Sequence, residues 1–511
     1  MGTSSFRKTL IFGVGMASAL LASATAAAAG QPRAGSAQVT QAVEQVKSRL
    51  NQLNQEIDVL KAQLEATQKQ LEATQKQAQA ASDKAASAQA QAKVASARAA
   101  TQQTANKPEV ATNYVEVAPG IHAELHGFVS ASYFYQDQNF FFGNGQNGEF
   151  PNPPASPGQN NGLSGGDVRN SRAWLEIAGP TMGNGWHGGA HLEFDFFGGN
   201  NGTGAFSGQQ PVLRLRQAYV TVDNDQIDGK LVVGQQWTLI FPYSSIEKGV
   251  NNLPESLTHI AFPLGYGTGM IGWRFPGIVY SQGLGKLASA LADFRFDAGV
   301  FEGSYDGPGS NINFASAGNV NFHPQIQSRL SFHKDAWFAY LASDYSSEQL
   351  SGVGGTEKPP LGISKITTYA VVTGASWTRG PYVVGINGYV GRALGANFGA
   401  LTQFGDIREF GGYLRAGYKF NQWGVPFLDH WGLYGNFAYN RPNQNDVIRW
   451  LKNGSSGRLR NKQVSADLIY TNGPFGFGFE WLHSILHRTA TGADFETVVG
   501  NQASFSAIYH F

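Results

Sequence analysis

Residues 186–197 read Trp-His-Gly-Gly-Ala-His-Leu-Glu-Phe-Asp-Phe-Phe. Trp186, Ala190, Leu192, Phe194 and Phe196 share one parity, and His187, His191, Glu193 and Asp195 share the other. Successive side chains of an extended strand point to opposite faces, so this stretch is a strand with one apolar and one polar side. Asn184-Gly185 stands directly before it. Such pairs tolerate positive φ and suit a tight hairpin. The period recurs downstream. Phe294, Phe296, Ala298 and Val300 oppose Asp293, Arg295 and Asp297; Ile326, Leu330 and Phe332 oppose Gln325, Gln327 and Arg329; Phe475, Phe477, Phe479 and Trp481 oppose Gly476, Gly478 and Glu480.

A soluble sandwich alternates in the same way, so the connections have to discriminate. The pattern predicts sixteen strands, at 122–135, 169–178, 186–197, 211–222, 229–237, 268–281, 289–302, 324–333, 335–345, 364–378, 381–394, 407–420, 430–441, 461–472, 475–487 and 498–511. Long connections rich in Gly, Asn and Ser alternate with short ones, among them Asn184-Gly185, Lys334-Asp335, Arg379-Gly380 and Asn472-Gly473-Pro474. Short turns at one end and long loops at the other are the plan of an outer-membrane barrel. An even strand number also brings both ends of the barrel to the short-turn, periplasmic side.

Composition agrees. Glycine supplies 64 of 511 residues, aromatics 12%, and charged residues only 14%, against about 25% charged in ordinary soluble domains. Mean hydropathy is −0.25. Past residue 30 no apolar run approaches the ~20 residues of a membrane helix. The net charge of +1 gives no pull toward nucleic acid. With no cysteine, disulfides, thiolate metal sites and thiol nucleophiles are excluded.

The N-terminal part is different. Arg7 and Lys8 precede an apolar stretch from Leu10 to Leu21, and Ala26-Ala27-Ala28 fits an A-x-A cleavage site. Residues 1–29 therefore read as a secretory signal peptide. Val39, Val43, Val46, Leu50, Leu53, Ile57, Leu60 and Leu64 then alternate four and three apart, and LEATQKQ occurs twice in succession at 64–77. A sustained 3.5-residue period specifies a left-handed coiled coil. At 1.5 Å per residue the rod over 39–94 reaches about 80 Å. One helix cannot bury such a stripe alone, so the segment argues for oligomerisation. The expected division is signal peptide 1–29, periplasmic coiled coil 30–100, polar linker 101–120 and barrel 121–511. The fold class is all-β, a 16-stranded antiparallel transmembrane β-barrel preceded by an α-helical coiled coil.

With these heptads, the strand Leu213-Arg214-Leu215-Arg216-Gln217-Ala218-Tyr219, the strand end Gly234-Gln235-Gln236-Trp237 and the terminal Tyr509-His510-Phe511, the chain resembles the trimeric 16-stranded outer-membrane porins. It is most similar to the DcaP-like porins, which carry a periplasmic coiled coil ahead of the barrel. The resemblance implies a homotrimer in the outer membrane and a water-filled channel for small hydrophilic solutes or ions. It also implies that the third long loop, 238–267, folds inward to constrict the lumen. The terminal Phe resembles the signal by which such barrels are recognised for insertion.

If the apolar parity faces lipid, Arg172, Arg214, Arg216, Arg274, Arg295, Arg329 and Arg415 face the lumen, with Glu247 and Glu255 on the constricting loop. Arginines facing loop carboxylates would set up a transverse field, and an excess of arginine would favour carboxylates and phosphates through bidentate contacts. The same side chains could instead pair across strands and satisfy one another. His187 and His191 share a strand face but lack a converging third ligand, so neither a metal nor a cofactor is expected. No distinctive Ser/His/Asp grouping points to an enzyme. A substrate-specific channel for sugar or phosphate, and an envelope tether acting through the coiled coil on peptidoglycan, are the alternatives to a general porin.

Overall fold

The computed structural model describes residues 115–141, 145–147, 149–152, 162–198, 211–247, 251–254, 269–302, 322–349, 360–401 and 405–511, with six helical residues between Glu44 and Lys61. The chain divides into two compact units, Met1–Ala111 and Thr112–Phe511. In the first, Glu44, Lys47, Ser48, Asn51, Asp58 and Lys61 are helical and exposed, and Lys47 pairs with Glu44 at 3.0 Å. The signal peptide and the apolar heptad positions lie outside the described residues.

The second unit is one antiparallel sheet closed on itself. Its strands are β1 (Val115–Ala118), β2 (Ile121–Gln136), β3 (Leu163–Asp167), β4 (Arg172–Met182), β5 (Trp186–Asp195), β6 (Arg214–Asn224), β7 (Gly229–Trp237), β8 (Arg274–Gly283), β9 (Phe294–Phe301), β10 (Phe322–Lys334), β11 (Trp337–Gln349), β12 (Lys365–Arg379), β13 (Tyr382–Arg392), β14 (Arg408–Lys419), β15 (Trp431–Pro442), β16 (Arg458–Asn472), β17 (Phe475–Thr489) and β18 (Phe495–His510). Each strand from β4 onward pairs with the next, and β18 closes on β2. β3 and β4 pair with successive halves of β2 and form one interrupted stave. β1 folds back on β2 alone. The described residues thus build sixteen staves.

Most strands stand within a few residues of their predicted positions, but those expected from 268 and 289 begin at Arg274 and Phe294, because 269–273 belong to the connection after β7 and Ser289–Leu291 form a 3-10 turn. Two other differences have physical causes. The Leu163-Ser164-Gly165-Gly166-Asp167 segment was expected in a loop because two glycines erase its alternation, yet it extends the second stave. Val115–Ala118, expected in the linker, forms a hairpin over Pro119-Gly120, where Gly120 has φ 73° and its amide donates to Glu116. The tight turns use the expected residues: Asn184 (φ 62°), Gly185 (75°), Asp335 (51°), Gly380 (58°) and Gly473 (56°).

Polarity is inside out relative to a soluble protein. On β2, Leu125 and Tyr133 are 62% exposed, whereas Gln136 is fully buried. Apolar side chains line the outside and Ser, Asn, Gln and paired charges line the inside, as lipid on one side and water on the other require. Near the short turns of the later staves the outer rings form a chain: Trp337–Trp377, Trp377–Tyr382, Tyr382–Tyr418, Trp431–Tyr470 and Phe475–Tyr509, with centroids 4.7–6.4 Å apart. This is an interfacial aromatic girdle. Closure uses the last residue. Gly127 and Phe511 exchange two 3.0 Å backbone hydrogen bonds. A Cβ at Gly127 would lie 2.6 Å from the Phe511 ring and 2.5 Å from the Arg172 carbonyl.

Candidate functional site: the loop-narrowed lumen

The connection after β7 crosses the barrel. β7 is the fifth stave and β15 the thirteenth, on opposite sides of a ring of sixteen. Yet the Leu239 amide donates to Gln327 on β10 (2.8 Å), the Tyr413 hydroxyl on β14 donates to the Asn252 carbonyl (2.5 Å), and the Gly269 amide donates to Asn440 on β15 (2.9 Å). The Asn252 side chain donates to the Ile386 carbonyl on β13 at 2.9 Å. The described parts of this connection, 238–247, 251–254 and 269–273, therefore lie inside the barrel. Its apolar face packs inside the barrel. Leu239, Ile240, Ile246 and Ile271 join Phe275, Val279, Phe338 and Tyr340, while Phe241, Leu253 and Met270 join Trp237 and Tyr413.

Strand β7 launches this loop from a constrained point. Gly234 has φ 137°, and a Cβ there would meet the Ala218 carbonyl at 2.3 Å. Trp237 follows and stacks on Phe241 with centroids 3.9 Å apart and planes 8° from parallel.

The arginines expected to face the lumen fall into two groups. One lies on the wall of β4–β6 and β8. Arg214 grips Asp195 with two hydrogen bonds of 2.9 and 2.7 Å and is 32% exposed. Arg216 is buried between Asp195 (2.7 Å) and Glu193. Arg172 lies 3.5 Å from Glu193 and over the Phe128 ring. Arg274 is buried between Trp237 and Trp273, 4.9 Å from each ring centroid. His191 Nδ1 is 2.7 Å from Glu176, and its ring stacks on Tyr219.

The other group holds the inserted loop. Arg329 donates to the Phe241 carbonyl at 3.0 Å and lies over Tyr340. Arg415 donates to the Leu253 carbonyl at 2.7 Å. Arg295 pairs with Glu247 at 3.3 Å and with Asp228, and His333 is 3.6 Å from Glu247. Glu255 lies outside the described residues.

Sequence reasoning missed most of the uncharged anchors. Gln217 accepts from Ser245 (2.6 Å), and Asn387 donates to the Gly269 carbonyl (3.1 Å). The first long loop also turns inward. Gln146 donates to Ser130 and Ser132, and Phe150 packs with Leu401, Leu486 and Val498 while Arg458 covers its ring. Phe140 and Phe141 of the Phe140-Phe141-Phe142 run join this inward packing. The signal was present as Asn, Gln and Ser at inward parity, but parity does not name the partner.

A sixteen-stranded antiparallel barrel with apolar exterior, polar interior and an inserted loop is the fold of an outer-membrane channel. No protein-family model and no curated protein matches the chain. Among solved structures, the outer-membrane channel DcaP of Acinetobacter baumannii is similar over 78% of this chain and all of its own, at 16% identity and TM-score 0.57. OmpF of Salmonella typhi, solved with daunomycin, aligns over 77% of this chain and 98% of its own at 12% identity (TM-score 0.47). OmpT of Vibrio cholerae, an outer-membrane protein, aligns over 77% and 98% at 12% identity (TM-score 0.45).

Proposed function

We propose that this protein is an outer-membrane porin, a water-filled channel for passive diffusion of small hydrophilic solutes, with a preference for anions. The observation that carries the reading is the connection after β7, whose described parts bond to β10, β13, β14 and β15 inside a closed barrel. A sixteen-strand barrel is wide enough for an aqueous channel, and an inserted loop reduces it to solute size. No catalytic role is assigned to any side chain. The coiled coil, through its apolar seam, supports a homotrimer with its N-terminal segments in the periplasm; an envelope tether on peptidoglycan would be a second role of that segment.

The anion preference rests on Arg172, Arg214 and Arg295, which keep partial contact with water, whereas Arg216, Arg274, Arg329 and Arg415 are nearly fully buried. In this reading the buried arginines shape the lumen and the accessible ones set its charge. Arg214→Glu tests the assignment. The reversal potential under a salt gradient should move toward cation selectivity in a barrel that still folds. An unmoved potential would remove Arg214 from the selectivity region. A channel selective for one carboxylate or phosphate is the narrower version, favoured by the bidentate geometry that arginine offers such groups. Saturable block of ion current by that solute would distinguish it.

A further inference from the structure

On the inner wall, beneath the connection after β7, polar side chains form a buried column. Strand β10 is its spine. Gln325, Gln327, Arg329, Ser331 and His333 share one parity, opposite to the exposed Ile326 and Leu330. Gln325 and Ser331 are fully buried, and Gln327 and Arg329 are 1% exposed. From Gln325 to His333 the column follows about 27 Å of strand at about 3.4 Å per residue. A lipid-facing band is about 25 Å tall, so the column runs through most of it. Register adds neighbours on the next strands. Asp297 of β9 stands beside Arg329, Asp344 of β11 beside Gln327, and Ser346 of β11 beside Thr368 of β12. The connection is held over this strip by the Leu239 amide, which donates to Gln327, and by Arg329, which donates to the Phe241 carbonyl.

The column is buried but not satisfied. Both carboxylate oxygens of Asp297, one of Asp344, the Gln325 amide nitrogen and the hydroxyls of Ser331, Ser346 and Thr368 meet no hydrogen-bond partner among the described residues. Buried polar groups are normally paired, and leaving them dry is costly. Donors and acceptors both stand free, so a single ion does not satisfy them, whereas water, which donates and accepts, does. At the short-turn end the column meets a cavity of about 530 Å³ lined by Asp223, Asp228, Glu247, Arg295 and His333. At the other end Gln325, Ser346 and Thr368 each stand three residues from the long-loop end of their strand.

We infer that this column is a hydrated proton path, separate from the solute lumen, that joins the short-turn cavity to the long-loop end behind the connection. A hydronium passes its proton to the next water, or to a carboxylate oxygen of Asp297 or Asp344, which hands it on. One proton leaves for each that enters, and nothing else is consumed. An arginine alone repels protons in a narrow pore, but Asp297 beside Arg329 offsets that charge. Burial of the column keeps hydrated ions and solutes out. The inference rests on a barrel that spans a membrane and is independent of what the lumen selects.

The test uses the purified full-length protein in vesicles that trap a pH-sensitive and a chloride-sensitive dye. The chain has no cysteine, so Arg214→Cys gives one accessible lumen thiol for a maleimide-linked polymer that plugs the lumen. Chloride entry through the unplugged protein reads the porin function by itself. Once plugging has reduced chloride entry to that of protein-free vesicles, protons should still cross. Asp297→Asn combined with Asp344→Asn should remove most of the proton flux of the plugged protein, while the unplugged variant keeps parental chloride entry and heat-modifiability. Thr368→Val, nearly isosteric, replaces a hydroxyl of the column with a methyl and should lower the same flux independently of the carboxylates. Proton flux at the protein-free level in the plugged parent would overturn the inference. So would a plugged flux that neither variant changes.

Discussion

At the scale of single residues, the lumen-wall carboxylates Glu193 and Asp195 are paired with arginine before any solute arrives. Arg216 is 5% exposed and joins Glu193 to Asp195, which are themselves held by Gln217 and Arg214. Breaking a buried pair by removing one partner strands the other charge and costs about 3–5 kcal/mol. Arg216→Ala should therefore lower the unfolding free energy of the barrel by about that amount, read as a fall in its urea midpoint. Arg216→Met combined with Glu193→Gln should recover most of it, because no uncompensated charge remains. A double variant as unstable as the single one would mean that packing, rather than charge, is what Arg216 supplies. Sequence parity alone put Arg172, Arg214 and Arg216 on the polar side of their strands, with Glu193 and Asp195. It did not reveal that Arg216 closes the cluster while Arg214 stays accessible, because that depends on a register shift between Glu193 and Phe194.

At the scale of elements, the inserted loop is held at both ends of its span and along its apolar face. Charged hydrogen bonds contribute roughly 1.5–3 kcal/mol each, and Arg329 and Arg415 each supply at least one to a loop carbonyl. Replacing both with alanine should raise single-channel conductance and add open-state noise. Unchanged conductance would show that the apolar face alone holds the loop. The helix α1 (Gln444–Trp450) in the seventh long loop offers a pH-dependent element. Burial alone would raise the Asp446 carboxyl, but the hydrogen bonds and charge of Arg408 prevail and hold it below the ordinary aspartate range. A folded-state value below the unfolded one means stabilisation that is present above the unfolded value and lost as pH falls through the folded one. Hydrogen exchange in 443–457 should thus speed up on acidification, and Asp446→Asn should abolish that dependence. The pair is surface-exposed, so the effect is local and modest. Strands were the most legible elements, because period 2 and turn pairs such as Asn184-Gly185 are local signals. The loop's path was legible only through family resemblance. Its anchors, Gln327, Asn387, Tyr413 and Asn440, come from four strands spread over more than a hundred residues, and no local pattern links them.

At the scale of the whole molecule, the even stave number, the apolar exterior and the crossing loop lead to one expectation: a barrel that spans the outer membrane and conducts. The most direct test of the central claim is single-channel recording of the purified, heat-modifiable protein in a planar bilayer under a salt gradient. The account predicts discrete steps, closing in groups of three, with a reversal potential on the anion-selective side. A folded, inserted protein that passes no ionic current would contradict it.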